Sequence, residues 1–160
     1  MRRAFETLRD KPWIWSFLAA GLVWIATVMV TGGASAGGLT HAALTFAAFT
    51  IIVGIGQMFV ITLGPGNIDL SIPATMTLAG TLALKFMGVQ DGLILPGLLV
   101  AIGVGLAIGI ANYGLIKLLR IPPIIATLSS SFIIQSTAIW SNRGLRIRPP
   151  DSLGAFTTSS

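Results

Sequence analysis

Between Lys11 and Asp69 the chain carries no formal charge: 57 consecutive residues, Pro12 to Ile68, lack Asp, Glu, Lys and Arg. Written as one helix at 1.5 Å per residue, this run would measure roughly 85 Å, nearly three times a hydrocarbon core of about 30 Å. A segment so long and so apolar cannot be covered by a water-soluble fold of this size. It has to cross a membrane, turn and cross back. The turn is expected at Thr31–Thr40 (TGGASAGGLT), where four glycines and three hydroxyl residues interrupt the apolar pattern.

Composition extends the argument to the rest of the chain. Of its 160 residues, 54% are hydrophobic and 9% charged, whereas soluble domains carry about a quarter charged residues. Disorder needs the opposite balance, low hydrophobicity with high charge. The net charge of +5 would point to nucleic acid in a soluble protein. Here the basic residues form three groups: Arg2, Arg3, Arg9 and Lys11; Lys117 and Arg120; Arg143, Arg146 and Arg148. Each group borders an apolar stretch, as flanking charges of membrane spans do. No zinc-finger spacing or RNA-binding aromatic motif accompanies them, so nucleic acid is excluded as a partner. With no cysteine, disulfides, thiolate nucleophiles and soft metal sites are excluded as well.

The expectation is an all-α polytopic membrane protein with about five transmembrane helices, its partner surface the lipid bilayer. Residues 1–12 form a basic head. Apolar spans follow near 13–30, 39–63, 74–88, 93–116 and 124–140, and 141–160 reads as a polar loop. Trp13 and Trp15 sit at the start of the first span, where indole rings favour the headgroup region. A basic head, an apolar core and Ala34-Ser35-Ala36 imitate a signal peptide. The core of about 18 residues exceeds the 7–15 of a signal sequence, so an uncleaved first helix is expected. The basic head places the N-terminus in the cytoplasm, and alternation then places Lys117 and Arg120 there too. Arg143, Arg146 and Arg148 then fall outside, against the positive-inside preference: either the fifth segment is re-entrant or, as favoured here, the first helix dominates orientation.

Catalytic patterns are missing: there is no GxxxxGK[ST] loop, no GxSxG elbow and no HExxH. The chain is read as no enzyme, with no cofactor and no metal, and the lone His41 lacks companion ligands. Ala101, Gly105 and Gly109 recur every four residues and would let another helix approach closely, within one subunit or between two. Lys85, one turn before the end of its span, is expected to snorkel. Ser129–Ser131 are expected to bond their own helix, and Gln57 to hydrogen-bond a neighbouring helix.

The most informative segment is Gly64–Pro73 (GPGNIDLSIP). Gly64, Pro65 and Gly66 break the second span, and Pro73 suits the first turn of the next helix, where its missing N–H is no loss. Asn67, Asp69 and Ser71 lie between. In one reading they cap the next helix at a turn. In the other, a broken helix supplies free backbone groups and a carboxylate beside a substrate pathway.

From Gly54 to Thr127 the chain resembles the N-terminal half of the ribose-type permeases of bacterial ABC importers. GIGQMFVITLGPGNIDLSIPATMTLAG is similar to the family segment in which a helix runs into Gly-Ile-Asp-Leu-Ser. NYGLIKLLRIPPIIATLSSSFI resembles the cytoplasmic turn and Ile-Ala-Thr-Leu helix start that follow. Gly-Pro-Gly-Asn and Ile-Pro replace the Ser-Gly and Val-Gly that usually flank the first motif. Family members run to about twice this length, and the Glu-Ala-Ala loop that docks on the ATPase has no counterpart here. The resemblance implies a permease subunit, or the N-terminal fragment of one, in the bacterial inner membrane. Its partners would be a second permease subunit, an ABC ATPase and a periplasmic solute-binding protein. The solute would be a monosaccharide or similar polar molecule, and Asn67, Asp69 and Ser71 would lie near its path. Branched-chain amino-acid permeases share this fold but match the motif less well. The alternative is a non-transporting membrane scaffold or an inactive permease remnant.

Overall fold

The computed structural model describes residues 11–33, 36–144 and 147–159. Arg2, Arg3, Arg9, Arg146 and the Ala34-Ser35 pair of the signal-like motif lie outside them. The described residues are helical: α1 Pro12–Val30, α2 Ala36–Thr62, α3 Ile72–Met87, α4 Ile94–Lys117, α5 Pro123–Asn142 and α6 Asp151–Ser159, with a 3-10 turn at Asp91–Leu93 before α4. Four helices are long and apolar enough to cross a membrane, and α3 is a shorter apolar one. The chain is an all-α polytopic membrane protein by this architecture. The five expected spans each match a helix to within three residues at either end.

The chain divides into two compact units, Met1–Ile52 and Val53–Ser160. In the first, the indole N–H of Trp24 on α1 donates to Thr40 Oγ1 on α2 at 3.2 Å. That bond links the two helices near the turn that joins them. The turn between them is tighter than Thr31–Thr40, because α2 already begins at Ala36 and takes Gly37 and Gly38 into its first turn.

In the second unit α3 packs against both α4 and α5. Gly97 near the start of α4 meets Met87 at the end of α3, and Asn112 near the end of α4 meets Ser71 at the start of α3. Those two pairs make α3 and α4 antiparallel. Lys85, late in α3, donates from Nζ to the Ser141 carbonyl at the end of α5 at 2.8 Å, so α3 and α5 run parallel. Its ammonium lies at the negative end of the α5 dipole, where the last carbonyls lack helical partners.

The interior is made of small side chains. Among the described residues, five of the eight buried hydrophobic ones are alanines (Ala74, Ala79, Ala83, Ala126 and Ala138), while Phe17, Phe46, Phe59, Leu106, Ile110, Phe132 and Trp140 are exposed. This is the reverse of a water-soluble core, and it is what lipid permits: small residues bring helix backbones together, and bulky apolar ones face the acyl chains.

The end of the chain departs from expectation. Residues 141–160 are not all loop, since Asp151–Ser159 is helical. The Asp91 carboxylate accepts from the Ser152 N–H at 3.2 Å and from its hydroxyl at 2.6 Å. A first-turn N–H of α6 therefore finds its partner on another element, and the carboxylate also suits the positive end of the helix dipole. Pro150, just before α6, is fully buried. A polar composition concealed this because the stabilising group lies about sixty residues away.

Candidate functional site at the helix break

α2 ends at Thr62, and the next four residues turn. The Asn67 N–H donates to the Gly64 carbonyl at 3.3 Å, with Pro65 and Gly66 in the middle and Gly66 at φ +79°. Proline followed by a glycine of positive φ is the signature of a type II turn, and the second of these positions excludes most side chains. The chain then runs without regular secondary structure through Ile68–Leu70 and enters α3 with Pro73 in the first turn. Gly64, Pro65 and Gly66 lie in the turn, and Pro73 lies in the first turn of α3.

Helix α3 has 16 residues, about 24 Å, and falls short of a 30 Å core by some 6 Å. The non-helical residues before it are numerous enough to cover a gap of that size. Non-helical backbone at such a depth must be satisfied by protein or water. Here protein supplies part of the answer. Asp69 Oδ1 accepts from the Ser71 N–H at 2.8 Å and from the Ser71 hydroxyl at 2.6 Å. Ser71, 1% exposed, accepts in turn from Asn112 Nδ2 on α4 at 2.8 Å. The Leu70 N–H donates to Thr127 Oγ1 on α5 at 3.0 Å, and Thr127 lies 2.9 Å from the Pro123 carbonyl of its own helix, to which its hydroxyl donates.

Asp69 accepts the N–H of Ser71, the residue that leads into α3, and the Ser71 side chain makes no capping bond of its own. Asn67 stands apart, its Nδ2 lying close over Gly64. Ser71 and Leu70 are also tied to two other helices, which a simple exposed turn would not require. Counting back from Lys117, Asn112 is about 7–8 Å along α4, so the clasp lies more than a turn inside the end marked by Lys117 and Arg120.

Beside the clasp, Asp69, Ser71, Ile72 and Thr75 face Gly105, Ile108 and Gly109 across a pocket of about 110 Å³. Gly105 and Gly109, expected to bring helices together within one subunit or between two, line this pocket. A Cβ added at either would meet nothing within 4 Å, so neither glycine makes a close helix contact within the described residues. The close approach on α4 is at Gly97, where a Cβ would fall 2.4 Å from Met87 Cγ. Ala101 is half-buried on the same helix.

The remaining polar residues are quickly placed. Ser130 and Ser131 bond carbonyls of their own helix, at Thr127 and Leu128, as expected. Gln57 Oε1 is buried without a hydrogen-bond partner among the described residues. No group of three or more His, Cys, Asp or Glu residues that could hold a metal occurs among the described residues. Asn112 and Thr75 had not been singled out in the sequence. Asn112 did carry a signal, as the one carboxamide within the apolar span 93–116. Thr75 carried none, being one hydroxyl among many.

No family model matches the chain, and neither the curated proteins nor the solved structures contain a significant match to it.

Proposed function

We propose that the chain is the N-terminal half of a ribose-type permease subunit of a bacterial ABC importer. It would translocate a monosaccharide or similar polar solute across the inner membrane, with ATP hydrolysed by a partner subunit. One observation supports the reading most. The two motifs behind the resemblance, Ile68–Ser71 and Ile125–Leu128, lie 57 residues apart yet are joined by the Leu70–Thr127 hydrogen bond. The segment between them contributes Asn112 to the same clasp. A chain that merely anchored or scaffolded would have no need to tie a broken helix to two others through a polar network.

In this reading the break is a hinge. Partner-driven closure would rock α4 and α5 against α3, and Asp69 would sit where the moving parts meet the solute path. The N-terminus, Lys117 and Arg120 are placed in the cytoplasm. A second permease subunit and a periplasmic solute-binding protein complete the assembly. The experiment is uptake of radiolabelled monosaccharides by cells expressing the full transporter with Asp69 replaced by Ala. ATP-dependent uptake is expected to fall at least tenfold (about 1.4 kcal/mol at the rate-limiting step) with membrane levels unchanged. Undiminished uptake would reduce Asp69 to a helix cap, and absence of uptake in the parent would favour the scaffold.

A further inference from the structure

Three unsatisfied groups remain buried among the described residues: Gln57 Oε1, Thr75 Oγ1 and Asn112 Oδ1. Two of them lie at the break. Threonines on these helices commonly return the hydroxyl to a carbonyl one turn back, as Thr45, Thr77 and Thr137 do. Thr75 does not, and its residue lines the pocket of Asp69, Gly105 and Gly109. Asn112 is 4% exposed and uses one amide atom on Ser71, which lines the same pocket. Exchanging its oxygen and nitrogen would not help, because one amide atom stays unpaired either way. A third fact concerns charge. Among the described residues Asp69 has no ion-pair partner, and Ser71 supplies both of its hydrogen bonds.

We propose that this pocket is a hydration site within the membrane-spanning region, holding a cluster of about three waters that reaches in from the Lys117–Arg120 end. The volume decides the class of ligand. Pockets for drug-sized organic molecules run to about 300–1,000 Å³, so 110 Å³ is too small for a whole solute and right for a few waters. The lining decides that the pocket is wet. Water needs two to four polar partners, and apolar cavities stay dry; Asp69, Ser71 and Thr75 supply three polar residues on one wall. The two glycines opposite leave room that a bulky side chain such as leucine would fill. Water there satisfies Thr75 and solvates the free side of the Asp69 carboxylate. An unsolvated Asp would otherwise be costly at this depth. Gly105 and Gly109 lie about 12–18 Å from Lys117 along α4, so this water would extend toward the bilayer centre. The proposal rests on the membrane reading, and not on the identity of the solute or of the ATPase.

The chain has no cysteine, so single cysteines can be read without background. Vesicles carrying Thr75→Cys, Gly109→Cys, Leu106→Cys or Val89→Cys are exposed to silver ion, a small probe that enters water but not hydrocarbon. The protein is then unfolded and the remaining thiols are counted with a maleimide. Leu106, 62% exposed beside Gly105, serves as the lipid-facing control in the membrane reading; Val89, 66% exposed, lies in the polar turn after α3. Thr75→Cys and Gly109→Cys are expected to be blocked about tenfold faster than Leu106→Cys, since only a hydrated thiol ionises readily. Adding Gly109→Leu to Thr75→Cys should remove that advantage. If Thr75→Cys fails to accumulate, Gly109→Cys reads the same pocket. Pocket cysteines that react as slowly as Leu106→Cys overturn the proposal. Leu106→Cys reacting as fast as Val89→Cys would instead contradict the membrane reading itself.

Discussion

Two hydrogen bonds at the clasp differ in what their loss would expose. Thr127→Val removes the acceptor of the Leu70 N–H and leaves a backbone donor unpaired, at a cost of about 1–3 kcal/mol. Asn112→Leu removes a donor from Ser71, whose hydroxyl still bonds Asp69. Side-chain hydrogen bonds between membrane helices average about 0.6 kcal/mol, so this loss should be the smaller. Unfolding in mixed detergent micelles should rank Thr127→Val below Asn112→Leu, and the reverse order would mean that Thr127 does not hold the break. A third residue tests backbone geometry. Arg120 has φ +55° just after α4, a conformation costing other residues about 1–2 kcal/mol. Arg120→Gly is therefore expected to raise stability by up to about 1 kcal/mol in the same assay, unless the guanidinium has an anchoring role that outweighs the strain.

At the scale of elements, the glycines of α4 separate into two kinds. Gly97→Ala has to displace the buried Met87, an overpacking that costs typically 1–3 kcal/mol. Gly105→Ala meets open space and gains helix propensity of up to about 1 kcal/mol. A thermal-unfolding series should show the first destabilised and the second unchanged or stabilised. Equal destabilisation at both would restore a packing role for the Ala101, Gly105 and Gly109 stripe. The four-residue spacing was visible in the sequence, but spacing says only which face the residues share. Which residue a neighbouring helix approaches depends on crossing geometry that no periodicity records. The helices themselves were legible for a simpler reason: a bilayer sets their length and polarity, and Gly64–Gly66 and Pro73 mark the break chemically. α6 was not legible, because the carboxylate at its N-terminus belongs to Asp91. Asp91→Ala should accordingly loosen α6, read as faster amide exchange over 151–159 with α3–α5 unchanged.

For the whole molecule, the decisive fact is where size goes: alanine inside, phenylalanine, leucine and tryptophan outside. That arrangement, together with the charge-free run, makes the chain a membrane protein before any function is considered. Which ends of the second unit share a side follows from which ends meet. The helix break, the end of α4 and the start of α5 share one end through Ser71, Asn112 and Thr127; the turn at Asp91, the end of α5 and α6 share the other. Labelling of single cysteines from either side of sealed vesicles tests this most directly. The account predicts that Leu119→Cys is modified by a membrane-impermeant maleimide only from the cytoplasmic face, and Val89→Cys and Asn142→Cys only from the opposite one. Modification of all three from the same face would contradict it.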